Sequence, residues 1–274
     1  MKMRSLLPLI ATASLLSGCD GDKATSLLAP TAPSLITNGS LDGEGHPAVI
    51  LIIMDVAGSP AYRCSGTLLS PTVVLTAGHC AGEKGEFSGL RVFTESDVQN
   101  GDNNYPFAGP NTVEAIAWAA HPLFTEAAFS LHDVGVVVLS APVTLPAGAS
   151  YGRLPTLDQL DALKPRRSTT FTAVGYGLQR INPAKFVGEK IRMVAEPHLL
   201  QINTGFTGNF SLLLSNNAST GGTCFGDSGG PNFLGSSNVV AGVTSFGING
   251  TCGGTGGVFR LDRADVLDFV SKYL

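Results

Sequence analysis

The chain carries little charge, few aromatic residues and no long apolar run. Asp, Glu, Lys and Arg make up 14% of its 274 residues, and Phe, Tyr and Trp together 7%, with a single Trp. A disordered chain would combine high charge with little apolar content. Here 43% of residues are hydrophobic, so a folded body is expected. Basic runs are missing too: Lys and Arg are scattered, the Arg166-Arg167 pair is too short to count, and the net charge is −4, which argues against a nucleic-acid binder. No later segment approaches the roughly 20 apolar residues that span a bilayer. There is no C-x₂-C pair, and only His79 adjoins a cysteine, so a zinc site is disfavoured and neither metal nor cofactor is implied. No internal repeat is visible.

Glycine is abundant, with 34 residues. Together with the low charge it fits a turn-rich β protein. Short apolar or alternating runs recur between turn signals: Val49–Met54, Gly66–Leu69, Val73–Thr76, Val134–Leu139, Thr170–Val174, Phe210–Leu214 and Val239–Phe246. Strands without alternating helices predict an antiparallel sandwich or barrel. Two helical patterns occur. Leu157–Leu163 is short and weak, whereas Arg263–Leu274 places Val266, Phe269, Val270, Tyr273 and Leu274 at helical spacing, an end-helix packing on the body. The proline-bearing span Ala141–Lys164 would connect two halves.

The N-terminus reads as an export signal. Lys2 and Arg4 form a positive n-region and Leu6–Leu16 a short apolar h-region. Leu16-Ser17-Gly18-Cys19 resembles the lipobox of bacterial lipoproteins, which implies a lipidated Cys19 as the mature N-terminus. The rival cleavage site, Ala11-Thr12-Ala13, would leave too short an h-region. Residues 1–18 are thus expected to be a signal, 19–35 a linker or propeptide rich in Ala, Pro, Ser and Thr, and 36–274 the folded domain. Setting Cys19 aside leaves Cys64, Cys80, Cys224 and Cys252, an even set suited to disulfides in an oxidising compartment, with three possible connectivities.

The chemistry centres on Cys224-Phe225-Gly226-Asp227-Ser228-Gly229-Gly230-Pro231. A serine in a glycine turn acts as a nucleophile only with a base to take its proton and donors for the oxyanion. The stretch also fits G-x-S-x-G, the nucleophile elbow of α/β-hydrolases, but that fold needs a histidine after the serine. All five histidines, His46, His79, His121, His132 and His198, precede Ser228. The available order is His, Asp, Ser.

Thr76-Ala77-Gly78-His79-Cys80 follows an apolar strand and Asp133 opens another. With the serine turn, these stretches resemble the chymotrypsin–trypsin family of serine peptidases over roughly residues 36–274. Ile36-Thr37-Asn38-Gly39 echoes the family's I-V-G-G opening, and Cys64-Ser65-Gly66-Thr67-Leu68-Leu69 its C-G-G-S-L-I strand. His121-Pro122-Leu123-Phe124 matches a family loop, and Ser245-Phe246-Gly247 stands where S-W-G is usual.

The resemblance implies an all-β fold of two packed, antiparallel, six-stranded Greek-key β-barrels with a C-terminal α-helix. It implies a monomeric endopeptidase acting on polypeptides, with Ser228 as nucleophile, His79 as general base, Asp133 orienting the imidazole, and the N–H groups of Gly226 and Ser228 as oxyanion hole. His46, His121, His132 and His198 are expected to be structural or surface residues. The pairings implied are Cys64–Cys80 and Cys224–Cys252. Gly222, six residues before Ser228, would be the floor of the primary pocket, followed by Thr223. Gly247 and Gly257 would be its walls, Phe225 and Phe246 an apolar rim, and Ser245–Gly247 an edge that pairs with extended peptide. Without an acidic floor, an apolar or aromatic side chain is expected before the scissile bond rather than Arg or Lys. Cleavage after Leu35 would free the amine of Ile36 to pair with Asp227, and would also release the domain from a lipid on Cys19. The alternatives are a binding or adhesion module that has lost activity, and an esterase using the same residues.

Overall fold

The computed structural model describes residues 38–182, 185–205 and 207–274; Cys19, Ile36 and the expected signal and linker segments lie outside them. After a short β1 (Ser40–Leu41) come β2 (Val49–Val56), β3 (Ser59–Leu68) and β4 (Val73–Thr76), then the single-turn helix α1 (Gly78–Ala81), β5 (Gly89–Phe93), β6 (Thr112–Ala120) and β7 (Gly135–Leu139). Strands β2 to β7 close a barrel in the order β2-β3-β4-β7-β6-β5.

The second half contributes β8 (Arg166–Gly175), the small hairpin β9 (Arg180–Asn182) and β10 (Lys185–Val187), β11 (Met193–Ala195), β12 (His198–Thr204), β13 (Gly208–Asn216), β14 (Pro231–Leu234), β15 (Val240–Gly247), β16 (Gly254–Arg260) and the end-helix α2 (Ala264–Ser271). Here the ring is β8-β12-β13-β16-β15-β14, closed by β14 pairing back onto β8, while β11 and β1 extend from β8. In each ring the fourth strand returns to lie beside the first, so both barrels are Greek keys of one strand order. The structure thus repeats where the sequence does not.

The apolar runs explain much of this. In β2, Val-Ile-Leu-Ile-Ile-Met-Asp-Val is buried at every residue but the last, as expected for a strand covered on both faces. One apolar cluster runs from Ile50, Leu51 and Leu75 in the first barrel to Val243, Phe259 and Phe269 in the second half, so the two barrels share a core. Five barrel strands, β5, β6, β12, β14 and β16, had no clear signal. The alanine-rich β6 leaves Ile116 69% exposed, so neither propensity nor alternation marks it. Strand β16 contains Gly256-Gly257 and is held by neighbours on both sides, β13 and β15. The weak pattern at 157–163 is a 3₁₀ turn, Gln159–Ala162. In α2, Val266, Phe269 and Val270 are buried as expected, but Leu274 lies past the helix end and is 62% exposed.

The barrels are also joined by a buried polar knot. Arg192 is fully buried; its Nε donates to Asp42 at 2.8 Å, and its other nitrogens donate to the carbonyls of Val49 and Gly43. Asp42 in turn takes the Nδ1 of His46. Burial works against this carboxylate, yet the His46 and Arg192 partners hold its pKa below the ordinary value. Replacing one member strands the other. Arg192→Met is expected to cost about 3 kcal/mol or more, read as a lower urea midpoint at unchanged slope.

Candidate active site

Strand pairing assembles the first half of the site. β4 and β7 pair antiparallel with Thr76 opposite Gly135. The chain leaving β4 into α1 therefore meets the chain entering β7, which brings His79 to Asp133. The carboxylate of Asp133 is fully buried and accepts three donors: the backbone N–H of His79 at 2.9 Å, its Nδ1 at 3.0 Å and the hydroxyl of Ser245 at 2.5 Å. A carboxylate facing Nδ1 assigns the proton to that atom and leaves the Nε2 lone pair free. Burial depresses the His79 pKa, but Asp133, by charge and hydrogen bond, and then Glu126 and Glu86 outweigh it and hold the pKa above the usual imidazole value.

The second half is the turn after Cys224. Gly226 has φ +96°, closed to most side chains. Gly229 backs onto the end of β4 so closely that a Cβ would lie 2.0 Å from Thr76 Oγ1 and 2.8 Å from Ala77 N. Only glycine lets the serine turn approach the histidine helix in this way. Ser65 on β3 ties the same turn to the first barrel. Its N–H donates to Ser228 O at 2.8 Å, and its hydroxyl donates to Gly226 O and accepts from Tyr176 N. The N–H groups of Gly226 and Ser228 and the Ser228 hydroxyl have no partner among the described residues. Ser228 Oγ and His79 thus lie on facing elements without a hydrogen bond between them, as is frequent in unliganded sites.

Beside Ser228 opens a cavity of about 290 Å³ with no charged side chain in its lining, which includes Phe129, Thr223, Phe225, Ser245, Phe246 and Gly247. Two expected lining residues are displaced. Gly222 is buried behind the wall, where a Cβ would lie 2.3 Å from Asn216 Cγ, and Asn216 Nδ2 donates to Thr223 O. Gly257 is covered by the ring of Phe246, 2.4 Å from where its Cβ would be, so Gly256 lines the cavity instead. Ser245 has a second contact, its bond to Asp133. Phe129 had no sequence signal: it follows a 3₁₀ turn, is 40% exposed and meets the His79 ring edge-on at 6.5 Å. Ser65 was legible only as part of a strand, and Asn216 not at all.

Asp227 is buried under the turn. Its two oxygens accept the N–H groups of Gly177 and Cys224, each at 2.8 Å, and burial pushes its pKa up to about 6. Its expected partner Ile36 is outside the described residues. Disulfides join Cys64 to Cys80, with Cα atoms 6.1 Å apart, and Cys224 to Cys252, 5.3 Å apart. The first fixes α1 to β3 and the second fixes the serine turn to the chain entering β16.

Behind Asp133, His121 and His132 stack at 4.9 Å beside Asp265, with His132 Nδ1 3.2 Å from the carboxylate. Three such donors can in principle hold a cation. However, His121 Nδ1 accepts the N–H of Leu123, which puts its proton on Nε2, the atom facing Asp265. The two rings are packed against each other, against Phe210 and against Phe269.

A protein-family model described as Trypsin matches residues 46–266. The chain belongs to the trypsin family. It is a serine-type endopeptidase. Brachyurin of Leptuca pugilator is 31% identical over 198 residues, which cover 70% of this chain and 78% of that protein. Trypsin iota of Drosophila melanogaster is 26% identical, covering 69% of this chain and 70% of its own. Chymase of Mus musculus is 26% identical, covering 73% and 76%. A solved structure described as HL collagenase superposes with TM-score 0.67 at 20% identity, over 86% of this chain and 97% of its own, and shares the fold. Brachyurin, trypsin iota and chymase come from animals and do not bear out the bacterial origin suggested by the lipobox.

Electrostatics of the peptidase site predict its pH profile. A raised His79 pKa means that the neutral imidazole forms only above its usual value, so an activity that uses it as base is expected to show its acid limb of kcat/KM above pH ~6.5. Glu126→Gln removes a charge that stabilises the imidazolium and should move that limb down by about 0.2–0.5 pH unit at low salt, with less effect in 0.5 M NaCl. A limb that does not move removes Glu126 from this role.

Proposed function

We propose that the chain hydrolyses peptide bonds through Ser228, His79 and Asp133. The observation that carries this is the Asp133 carboxylate, which takes the His79 N–H and Nδ1 and so leaves Nε2 free, on the helix that follows Thr76 and Ala77, against which the serine turn packs through Gly229. Ser228 Oγ attacks the scissile carbonyl as Nε2 takes its proton, and the developing oxyanion is received by the N–H groups of Gly226 and Ser228. The imidazolium, stabilised by Asp133, then protonates the leaving amine, and water hydrolyses the acyl-enzyme by the same steps. A serine-directed acylating probe should label the enzyme, and Ser228→Ala should abolish labelling and lower kcat by roughly 10⁴–10⁶-fold. Retained labelling would overturn the assignment.

The uncharged cavity beside Ser228 supports an apolar or aromatic side chain before the scissile bond. Thr223 in its lining, with Asn216 behind it, offers nothing to neutralise Arg or Lys. In a peptide panel, Phe and Leu should exceed Arg and Lys in kcat/KM; the reverse order would overturn this preference.

Activation is read from Asp227, whose carboxylate is fully buried and has no ion-pair partner among the described residues, only the charge of Arg63 acting on it. Cutting after Leu35 supplies the Ile36 amine, which pairs with Asp227 and orders the oxyanion turn. If residues 19–35 carry a lipid on Cys19, the same cut frees the domain from a membrane into an oxidising, extracellular space, where its two disulfides persist.

The sign of the pH effect is fixed. In the uncut chain the raised Asp227 pKa favours the fold at low pH, and that contribution is lost as pH rises from about 4 through about 6. In the cut chain the amine offsets the ionised carboxylate. With a specific protease site placed ahead of Ile36, the Tm of cut over uncut protein should open as pH rises through about 6, by on the order of 5 °C. A constant gap would count against the pair.

A further inference from the structure

The serine turn separates two surfaces of opposite character. On one side lies the uncharged cavity. On the other, Arg63 of β3 lies over Gly226: its Nε is 3.0 Å and its Nη2 3.5 Å from the point where a Gly226 Cβ would stand. Nη1 donates to Gly188 O at 3.2 Å, which fixes the guanidinium in place, while Nε and Nη2 have no acceptor among the described residues. Arg63 is half-buried, and with Tyr62, Tyr105 and Pro106 it lines a recess of about 210 Å³. Lys190 stands over the Tyr105 ring at 5.5 Å. Partial burial, and then the charge of Arg63, hold the Lys190 ammonium below the ordinary lysine value, with Glu189 opposing. Among the described residues neither cation is in an ion pair, in contrast to Arg91, Arg192, Arg260 and Arg263.

This side receives the leaving group. The proton passed by His79 goes to the departing amine, and Cys80, next to His79, is bonded to Cys64, next to Arg63. A peptide running away from Ser228 past His79 therefore crosses the Cys64–Cys80 bridge toward Arg63. A guanidinium with two free donors is shaped for a carboxylate, and a second cation nearby deepens the field.

We propose that Arg63, supported by Lys190, is a specificity-determining subsite that takes an Asp or Glu side chain on the leaving-group side of the scissile bond. The subsite deepens the peptidase reading and rests on it.

The test uses the chain cut ahead of Ile36 and one peptide scaffold with Phe before the scissile bond. Glu, Gln or Lys is placed in turn at each of the first three positions after it. At one position, kcat/KM should follow Glu over Gln over Lys, with Glu about fivefold above Gln, and the ratio should fall in 0.5 M NaCl. Arg63→Ala should erase the preference, Arg63→Lys keep part of it, and Arg63→Glu invert it toward Lys. Lys190→Ala should reduce it. Serine-probe labelling identifies folded variants; if the Arg63 variants do not label, Lys190→Ala and the salt dependence decide. Equal rates for Glu, Gln and Lys at all three positions, or a preference untouched by Arg63→Glu, overturn the subsite while leaving the peptidase intact. Failure of every peptide together with no probe labelling overturns the peptidase reading itself.

Discussion

A carboxylate with no solvent must be met by donors, and at Asp133 those donors come from two barrels. His79 supplies two from the first and Ser245, on β15, supplies one from the second. An unpaired buried charge is among the costliest defects a fold can carry. The docking of the barrels and the orientation of the imidazole are therefore one event: neither is satisfied without the other. Ser65 adds a second stitch in the opposite direction, from β3 of the first barrel to the carbonyls of Gly226 and Ser228. Between them the two stitches set the facing edges of the proposed triad beside the apolar core that the barrels share.

The same reasoning orders the other buried charges. Arg192 is matched by Asp42, and Arg260 by Asp262, each with further donors or carbonyls completing the shell. Asp227 differs. It has two backbone donors and no ion-pair partner among the described residues, and its pKa is raised by burial. The turn that bears the proposed oxyanion donors is thus built over a charge left incompletely answered.

Much of this was legible in the sequence because the site is made of short stretches with strict local needs. The glycines around Ser228 were readable, and the structure gives the reason in the approach of Gly229 to Thr76 and Ala77. His79 and Asp133 were readable because each abuts an apolar strand, and those strands, β4 and β7, pair. Where residues act by filling space across the fold, the signal vanished. Asn216 sits behind Gly222 and the Phe246 ring covers Gly257, so neither of these two glycines lines the cavity, although Gly247 does. Strand β6, rich in alanine, exists because β5 and β7 flank it, not because its residues ask for it.

The repeated strand order bears on how such a site can vary. Each barrel closes as a ring, with only the short β11 and β1 extending beyond the second, and the seam between them is free to carry chemistry. Residues on the two sides of that seam answer to different constraints. Asp133, Ser65 and Gly229 are fixed by buried contacts across it, and any change there breaks the docking itself. Phe129, Phe225, Arg63 and Lys190 stand around it, exposed or half-buried, outside the shared core. Replacing them changes what lies against the turn without unpairing a buried charge. In this architecture, chemistry is tied to the interior contacts that join the barrels, and substrate choice can shift on the rim at little cost to the fold.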